Sequence, residues 1–414
     1  MNREVVQLRT VRTLMATNVF GYAGFIAVAA ISTLLASNML NGDSLAGLPA
    51  AAATLGTAIA ATPLALRSKR RGRRSGVTFG YLVAILGAAL GFVAGQAGIF
   101  WLFVVAAMAI GVGQASNLQN RYVAADLALE ERRARDISLV VWVGTVGAVL
   151  GSPLALWVNR MGVSAGIAEW ATPMFLGMAG FAISASLISI FLRPDPLRLA
   201  GGVDRDAPRT NPLRGVGHSW RMIWPNQNAR LAITAMAVSQ MAMVAVMTMT
   251  PLHMKDHGHA ELSTLVIAVH VFGMFGLAPL VGNWADRHGR IRALEAGAII
   301  LGAGTICAVV AGYVPVLIFV GLFLLGLGWN FAFIAGSALL TESLPSDERV
   351  GAQGLSDVLM SVLGAVAAFS SGFVKASAGF HWLANFATIA AVVVFVAAFY
   401  AHRSRAGSVT VPAG

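Results

Sequence analysis

The chain has 414 residues, of which 57% are hydrophobic and only 11% charged. A water-soluble fold of this size needs more polar groups to cover its surface, so composition excludes a soluble globule. The formal charge of +11 would suit a polyanion, but it is confined to short blocks between apolar runs of roughly 20 residues, which excludes nucleic acid as partner.

Twelve apolar runs follow one another at 11–37, 45–66, 77–97, 99–125, 137–158 and 170–192, then 231–251, 262–281, 293–313, 316–340, 354–374 and 380–400. Backbone groups in lipid must find partners within their own segment, so these runs are expected as helices. The expected fold is an all-α membrane protein with twelve transmembrane helices in two pseudo-symmetric six-helix bundles. The first run is longer than a signal-peptide core and lacks a cleavage pattern, so it reads as a retained first helix. With the amino terminus inside, the inner blocks carry Arg3, Arg9 and Arg12, then Arg67 to Arg74, Arg132, Arg133 and Arg135, and seven arginines from Arg193 to Arg230. The outer loops carry only Arg160, Lys255 and Lys375. This asymmetry puts both termini in the cytoplasm of a plasma (inner) membrane. Arginine far outnumbers lysine, which points to a bacterial source.

The stretch 193–228 is rich in Pro, Gly, Asp and Arg and too polar to cross lipid. The expected division is a first bundle at 1–192, a cytoplasmic linker at 193–228, a second bundle at 229–402 and a tail at 403–414. The halves repeat each other. Gly111-Val112-Gly113-Gln114 answers Gly326-Leu327-Gly328-Trp329, and Asp126 with Glu131-Arg132 answers Glu342 with Glu348-Arg349.

The most specific pattern is Gly282-Asn283-Trp284-Ala285-Asp286-Arg287-His288-Gly289-Arg290, a short charged connection between the eighth and ninth runs. It resembles the cytoplasmic loop signature of the major facilitator superfamily, with Trp284 in place of the usual leucine. The resemblance implies that Asp286 caps the start of the fifth helix near Asp136 to Ser138. It also implies that Arg290 pairs with Glu342, in a lock that closes the cytoplasmic side and breaks when the halves rock. The matching first-half loop keeps Leu64-Ala65 and Gly72-Arg73 but has Leu66 where the aspartate is expected. What remains there is a polybasic turn, a topology determinant suited to anionic lipid headgroups. In the fifth run Gly144, Gly147 and Gly151 precede Ser152-Pro153, which is similar to the family's antiporter motif although Ser152 interrupts the Gly-Pro pair. Small residues at that spacing also let helices approach closely.

Ionisable groups inside lipid are costly and call for a reason. Arg121 lies near Asp126 and can pair with it or with Asp357; a structural ion pair is the first reading and a coupling role the second. His270, midway along the eighth run, is a coupling candidate or a neutral hydrogen-bonded core histidine. The first, second, fifth and seventh runs hold no acid. Candidate cavity residues are the mid-depth polar and aromatic groups Asn18, Gln114, Asn117, Trp142, Gln240, Trp329 and Asn330, with Met243 and Met247 on the Gln240 stripe. Ser239 belongs to the same polar set. His253, His257 and His259, near Met247, Met249 and Met254, could serve a soft metal. Pro251 is expected to break the helix there, and an outer turn without metal is the leading reading. Thr250-Pro251-Leu252-His253-Met254 followed by His257-Gly258-His259 resembles a stretch of bacterial members of the superfamily.

The resemblance implies a secondary transporter that exports small, partly apolar molecules by proton-coupled alternating access, with substrate bound near mid-membrane. Proton-coupled uptake of an organic solute and carriage of a transition metal are the alternatives. No nucleophile-base constellation, phosphate loop or metal-binding helix pattern is present, so no enzyme is expected. The single cysteine, Cys307, offers no disulfide. No cofactor is expected; the expected partners are a small-molecule substrate, protons and membrane lipid, without nucleic acid, and the chain is expected as a monomer.

Overall fold

Among the described residues the apolar runs are predominantly helical. The computed structural model describes residues 3–40, 45, 47–204, 212–259, 262–312 and 314–408. The middle of the expected linker (205–211), Tyr313 at the end of the ninth expected run and the end of the expected tail (409–414) lie outside the described residues. In the first half the helices are α1 (Arg3–Leu40), α2 (Leu48–Arg71), α3 (Arg73–Ala97), α4 (Phe100–Ala125), α5 (Arg133–Ser164) and α6 (Met174–Phe191). Two short linker helices follow, α7 (Pro196–Leu199) and α8 (Pro212–Ile223). The second half holds α9 (Gln227–Asp256), α10 (Ser263–Val271), α11 (Ala278–His288), α12 (Arg290–Val310), α13 (Pro315–Glu342), α14 (Ser346–Ala378) and α15 (Phe380–Ser408). No strand occurs among the described residues. Twelve of the helical stretches there are long and apolar enough to cross a membrane, the eighth formed by α10 and α11 together.

The helices outrun the apolar runs at their polar ends. α1 has 38 residues, which at 1.5 Å each is about 57 Å of rod against a hydrocarbon core of about 30 Å. Two expectations are corrected. Pro251 does not end its helix; α9 runs on to Asp256, because a proline removes one ladder bond and leaves the others in place. The run at 262–281 is not one continuous α-helix either. A π-helical turn, Phe272–Gly276, separates α10 from α11, where Gly273 lies against the α13 backbone at Phe323 and Leu327. Inserted π-turns of this kind concentrate at functional sites.

The repeat seen in the sequence is also a repeat of packing. In the first half α1 packs on α6, α3 on α4, α2 on α4, α3 on α6 and α1 on α4. In the second half α9 packs on α15, α12 on α13, α10 and α11 on α13, α12 on α15 and α9 on α13. These are the same five pairings with each helix replaced by its counterpart. The hairpins between α2 and α3 and between α11 and α12 match as well. Each turns on one glycine with nearly equal dihedrals, Gly72 at φ 93° and ψ 161° and Gly289 at φ 95° and ψ 151°. Such backbone is costly for any residue with a Cβ. The fold is therefore twelve spanning helices in two repeated six-helix bundles.

The helices gather into two compact units. The first is Met1–Ala128, Leu139–Trp220 and Ser346–Ser361; the second is Leu129–Ser138, Arg221–Pro345 and Val362–Gly414. In the first, Leu14, Ile31, Leu35, Tyr81, Phe103, Ile110 and Phe181 are among its buried core. Gly144, Gly147 and Gly151 let α5 lie directly on α1. A Cβ at Gly147 would collide with the carbonyl of Val19, and one at Gly144 would press on the Tyr22 ring. Gly147→Leu is accordingly expected to destabilise the chain by about 1–3 kcal/mol through overpacking. Its thermal unfolding midpoint in detergent checks this, and a midpoint equal to that of the parent would exclude close α1–α5 packing.

Candidate functional site

The charged hairpin organises the second unit. α11 ends at His288, Gly289 turns the chain and Arg290 opens α12. The two oxygens of Asp286 accept from the backbone amides of Ala134 and Arg135, at 3.1 and 2.8 Å. These are unpaired donors of the first turn of α5, where the helix dipole also favours negative charge. The cap sits just before the expected position at Asp136 to Ser138. Arg290 donates from Nε and Nη2 to Glu342 Oε1 at 3.0 and 2.9 Å and from Nη2 to the carbonyl of Glu130, and its Nη1 pairs with Asp286. Arg133 adds a second cation 3.3 Å from Glu342. Gly282 faces Ser138 and the carbonyl of Ala134, so any side chain there would push α5 away. Trp284 stacks on His288 at 4.5 Å and meets Phe331 edge-on. Arg287, Glu131 and Arg132 are exposed and stand outside the cluster.

The first unit carries a counterpart that the sequence showed only in part. Arg73 follows Gly72 as Arg290 follows Gly289, and it grips Asp126 with two donors at 2.8 and 3.1 Å. A third bond runs from Arg73 to Gln353 near the start of α14. The pair Arg73–Asp126 thus mirrors Arg290–Glu342. The mirrored aspartate position is also corrected. Counted back from the shared Gly-Arg pair, 72 − 69 = 3 and 289 − 286 = 3, so Lys69 rather than Leu66 stands opposite Asp286. Asp126 lies just past the end of its span, and burial pushes its carboxyl above the usual carboxylate range while Arg73 pulls it back.

Arg121 does not pair with Asp126. Its guanidinium donates to Asp357 at 2.5 Å, to the Leu118 carbonyl at 2.7 Å and to the Tyr122 hydroxyl at 3.0 Å. It also lies over the Tyr122 ring. Both members of the Arg121–Asp357 pair are buried, and Asp357 Oδ2 has no hydrogen-bond partner among the described residues.

Among the described residues each unit holds a cluster of uncharged polar side chains. In the first, Asn120 donates to Asn18 at 2.7 Å and to Tyr81 at 2.9 Å. Tyr81 donates to Asn117, and Asn117 to Gln114 at 3.0 Å. Asn18 also donates to the carbonyl of Val140. Sequence reading missed Asn120 and Tyr81, although Asn120 is one helical turn from Asn117 and shares its face. Trp142 is 38% exposed and belongs to none of these bonds. In the second unit Trp329 donates from Nε1 to Gln240 at 2.6 Å. Its ring stacks on Phe333 at 4.6 Å and meets Phe275 edge-on. Met243 and Ser239 are buried, while Gln240 and Met247 are partly exposed. Asn330 is fully buried with neither side-chain atom hydrogen-bonded among the described residues. His270 is fully buried too; its Nδ1 lies 2.7 Å from the Leu322 carbonyl, and its Nε2 has no partner among the described residues.

The C-terminal end of α9 is a stack of rings. His253 lies between His257 and Phe380, 4.2 Å from each. His257 Nδ1 lies 2.7 Å from the carbonyl of His253, and His259 bonds through its amide to the carbonyl of Met254. Beside them Lys375 pairs with Asp256. Among the described residues no group of three or more His, Cys, Asp or Glu side chains is placed to hold a metal ion.

A bundle of twelve spans, with buried ion pairs and uncharged polar clusters between its helices, is the architecture of a membrane carrier. The chain matches the Major Facilitator Superfamily over residues 13–277 and again over 235–413, and it belongs to that family. It is 34% identical over 398 residues to the uncharacterized MFS-type transporter YddS of Bacillus subtilis, covering 95% of this chain and 91% of that one. It is 31% identical over 376 residues to the riboflavin transporter RfnT of Brucella anthropi, covering 89% of each. Among solved structures, a bacterial homologue of the iron transporter ferroportin in its outward-facing state superposes with a TM-score of 0.77. That match spans 94% of this chain and 98% of the other at 13% identity, a likeness of fold alone.

Proposed function

We propose that the chain is a secondary active transporter that exports small, partly apolar solutes by proton-coupled alternating access. The observation that carries this reading is the Asp286–Arg290–Glu342 cluster. It holds the start of α5 by charged hydrogen bonds, a joint that can open and reclose. The moving parts are the segments 1–192 and 229–402, joined by the linker 193–228 and followed by the tail 403–414. In this reading both ends lie in the cytoplasm of a bacterial inner membrane, which the charge asymmetry supports. The carrier works as a monomer, without cofactor and without covalent chemistry. The amide clusters around Asn117 and Gln240 supply hydrogen bonds to the solute, and Trp329 supplies an apolar face. His270 takes the coupling proton on Nε2, the buried ring atom that has no partner among the described residues.

Proteoliposomes loaded with a panel of amphiphilic solutes, with an imposed pH gradient, test this directly. Gradient-driven flux is expected in the parent, and gradient dependence is expected to be lost in His270→Ala with the protein still folded. A His270→Ala protein that keeps the full gradient response would remove His270 from the coupling step.

Uptake is the second reading, favoured by the relative named as a riboflavin transporter and by the Trp329–Phe333 stack beside the Gln240 amide. A flat ring with polar edges would suit those groups. Riboflavin belongs in the panel, and the sign of its gradient-driven movement separates import from export.

A further inference from the structure

We propose that the first unit holds a binding pocket for a phosphate group, built by Arg71, Arg74, Arg193 and Arg198. The last turn of α2, the first turn of α3 and the segment leading into α7 line an open cavity of about 510 Å³. These four arginines line it, together with Ser75 and Asp195. Asp195 is the one carboxylate among the described lining residues, and backbone amides hold both its oxygens. Its Oδ2 accepts from the Arg74 amide at 2.8 Å, and its Oδ1 accepts from the amides of Leu197 and Arg198 at 3.1 and 3.3 Å. Asp195 therefore fixes the two walls of the cavity and sets one negative charge beside four guanidinium groups, so the described lining is net positive.

Two of the arginines contact backbone carbonyls. Arg198 donates to the carbonyl of Arg71 at 3.0 Å and Arg193 to the carbonyl of Ser189 at 3.2 Å. None of the four forms an ion pair among the described residues. Four planar donor groups around a cavity of this size fit a tetrahedral oxyanion, which a guanidinium binds through paired N–H donors. The location narrows the source. α2, α3 and the span containing α6 all end here, at the depth where lipid headgroups lie and where each basic residue adds to the attraction for anionic lipid. A phosphodiester headgroup and free inorganic phosphate offer the same chemistry, and the experiment separates them. The pocket is independent of the transport reading above.

Native mass spectrometry of the full chain in detergent, titrated with phosphatidylglycerol and with phosphatidylcholine, is the first arm. The second arm is the thermal unfolding midpoint with and without inorganic phosphate. Each is run on the parent and on Arg74→Gln/Arg198→Gln, with Arg71→Gln/Arg193→Gln as a second variant should the first unfold. A headgroup site predicts that the parent prefers phosphatidylglycerol and that a folded variant loses that preference by on the order of tenfold. A soluble-phosphate site predicts a raised midpoint in the parent alone, with no preference between lipids. Equal binding of both probes by parent and variant, or no binding of either probe, overturns the proposal.

Discussion

Asp357→Asn is expected to destabilise the folded chain by about 3–5 kcal/mol, because it leaves the Arg121 guanidinium buried without a counter-charge. Arg121 and Asp357 are 2% and 3% exposed in their side chains, so water cannot replace the lost partner. The bonds of Arg121 to the Leu118 carbonyl and the Tyr122 hydroxyl remain, but neither carries a charge. Removing both charges at once, as in Arg121→Met/Asp357→Leu, is expected to recover much of the stability. Unfolding midpoints of the two proteins check this. A single variant as stable as the parent would mean that the pair is not desolvated. If the double variant is stable yet gradient-driven flux is abolished, the pair acts in transport; if flux survives, the pair is structural.

Asp286→Asn has the second largest expected effect. The substitution keeps the shape of the side chain but removes the charge that answers Arg290 and strengthens both amide contacts at the start of α5. Hydrogen bonds to charged groups contribute about 1.5–3 kcal/mol each, so a loss in that range is expected for the joint as a whole. Flux is expected to fall together with it. Undiminished transport in Asp286→Asn would show that this joint does not take part in the cycle.

The fold was readable because its signal is long and redundant. Each span repeats the same message over some twenty residues, and the break at 193–228 has a different composition. The Arg290–Glu342 contact was readable too, but only through the resemblance of the loop from Gly282 to Arg290 to the family signature. Arg73 was not. It sits in a run of cations, Lys69, Arg70, Arg71, Arg73 and Arg74, that are chemically alike, and only the left-handed turn at Gly72 sends Arg73 inward to Asp126. Tyr81 escaped notice because an aromatic in an apolar run looks like core, and its hydroxyl acquires meaning only when Asn117 and Asn120 arrive from α4. The π-turn at Phe272–Gly276 leaves no periodic trace in so short and uniformly apolar a run. Pro251 misled because the rule for proline was learned in water, whereas a helix in lipid has no better alternative than to continue past it.

The central claim is that the Asp286 cluster opens and recloses around the start of α5. Ser138 is fully buried there against Gly282, and Cys307 is the chain's single cysteine. Alkylation of Ser138→Cys by a membrane-impermeant maleimide, in a Cys307→Ser background and in inside-out vesicles, reads that opening. Slow labelling is expected with Asp286 present, and labelling several times faster in Asp286→Asn. Equal rates in the two proteins would contradict it.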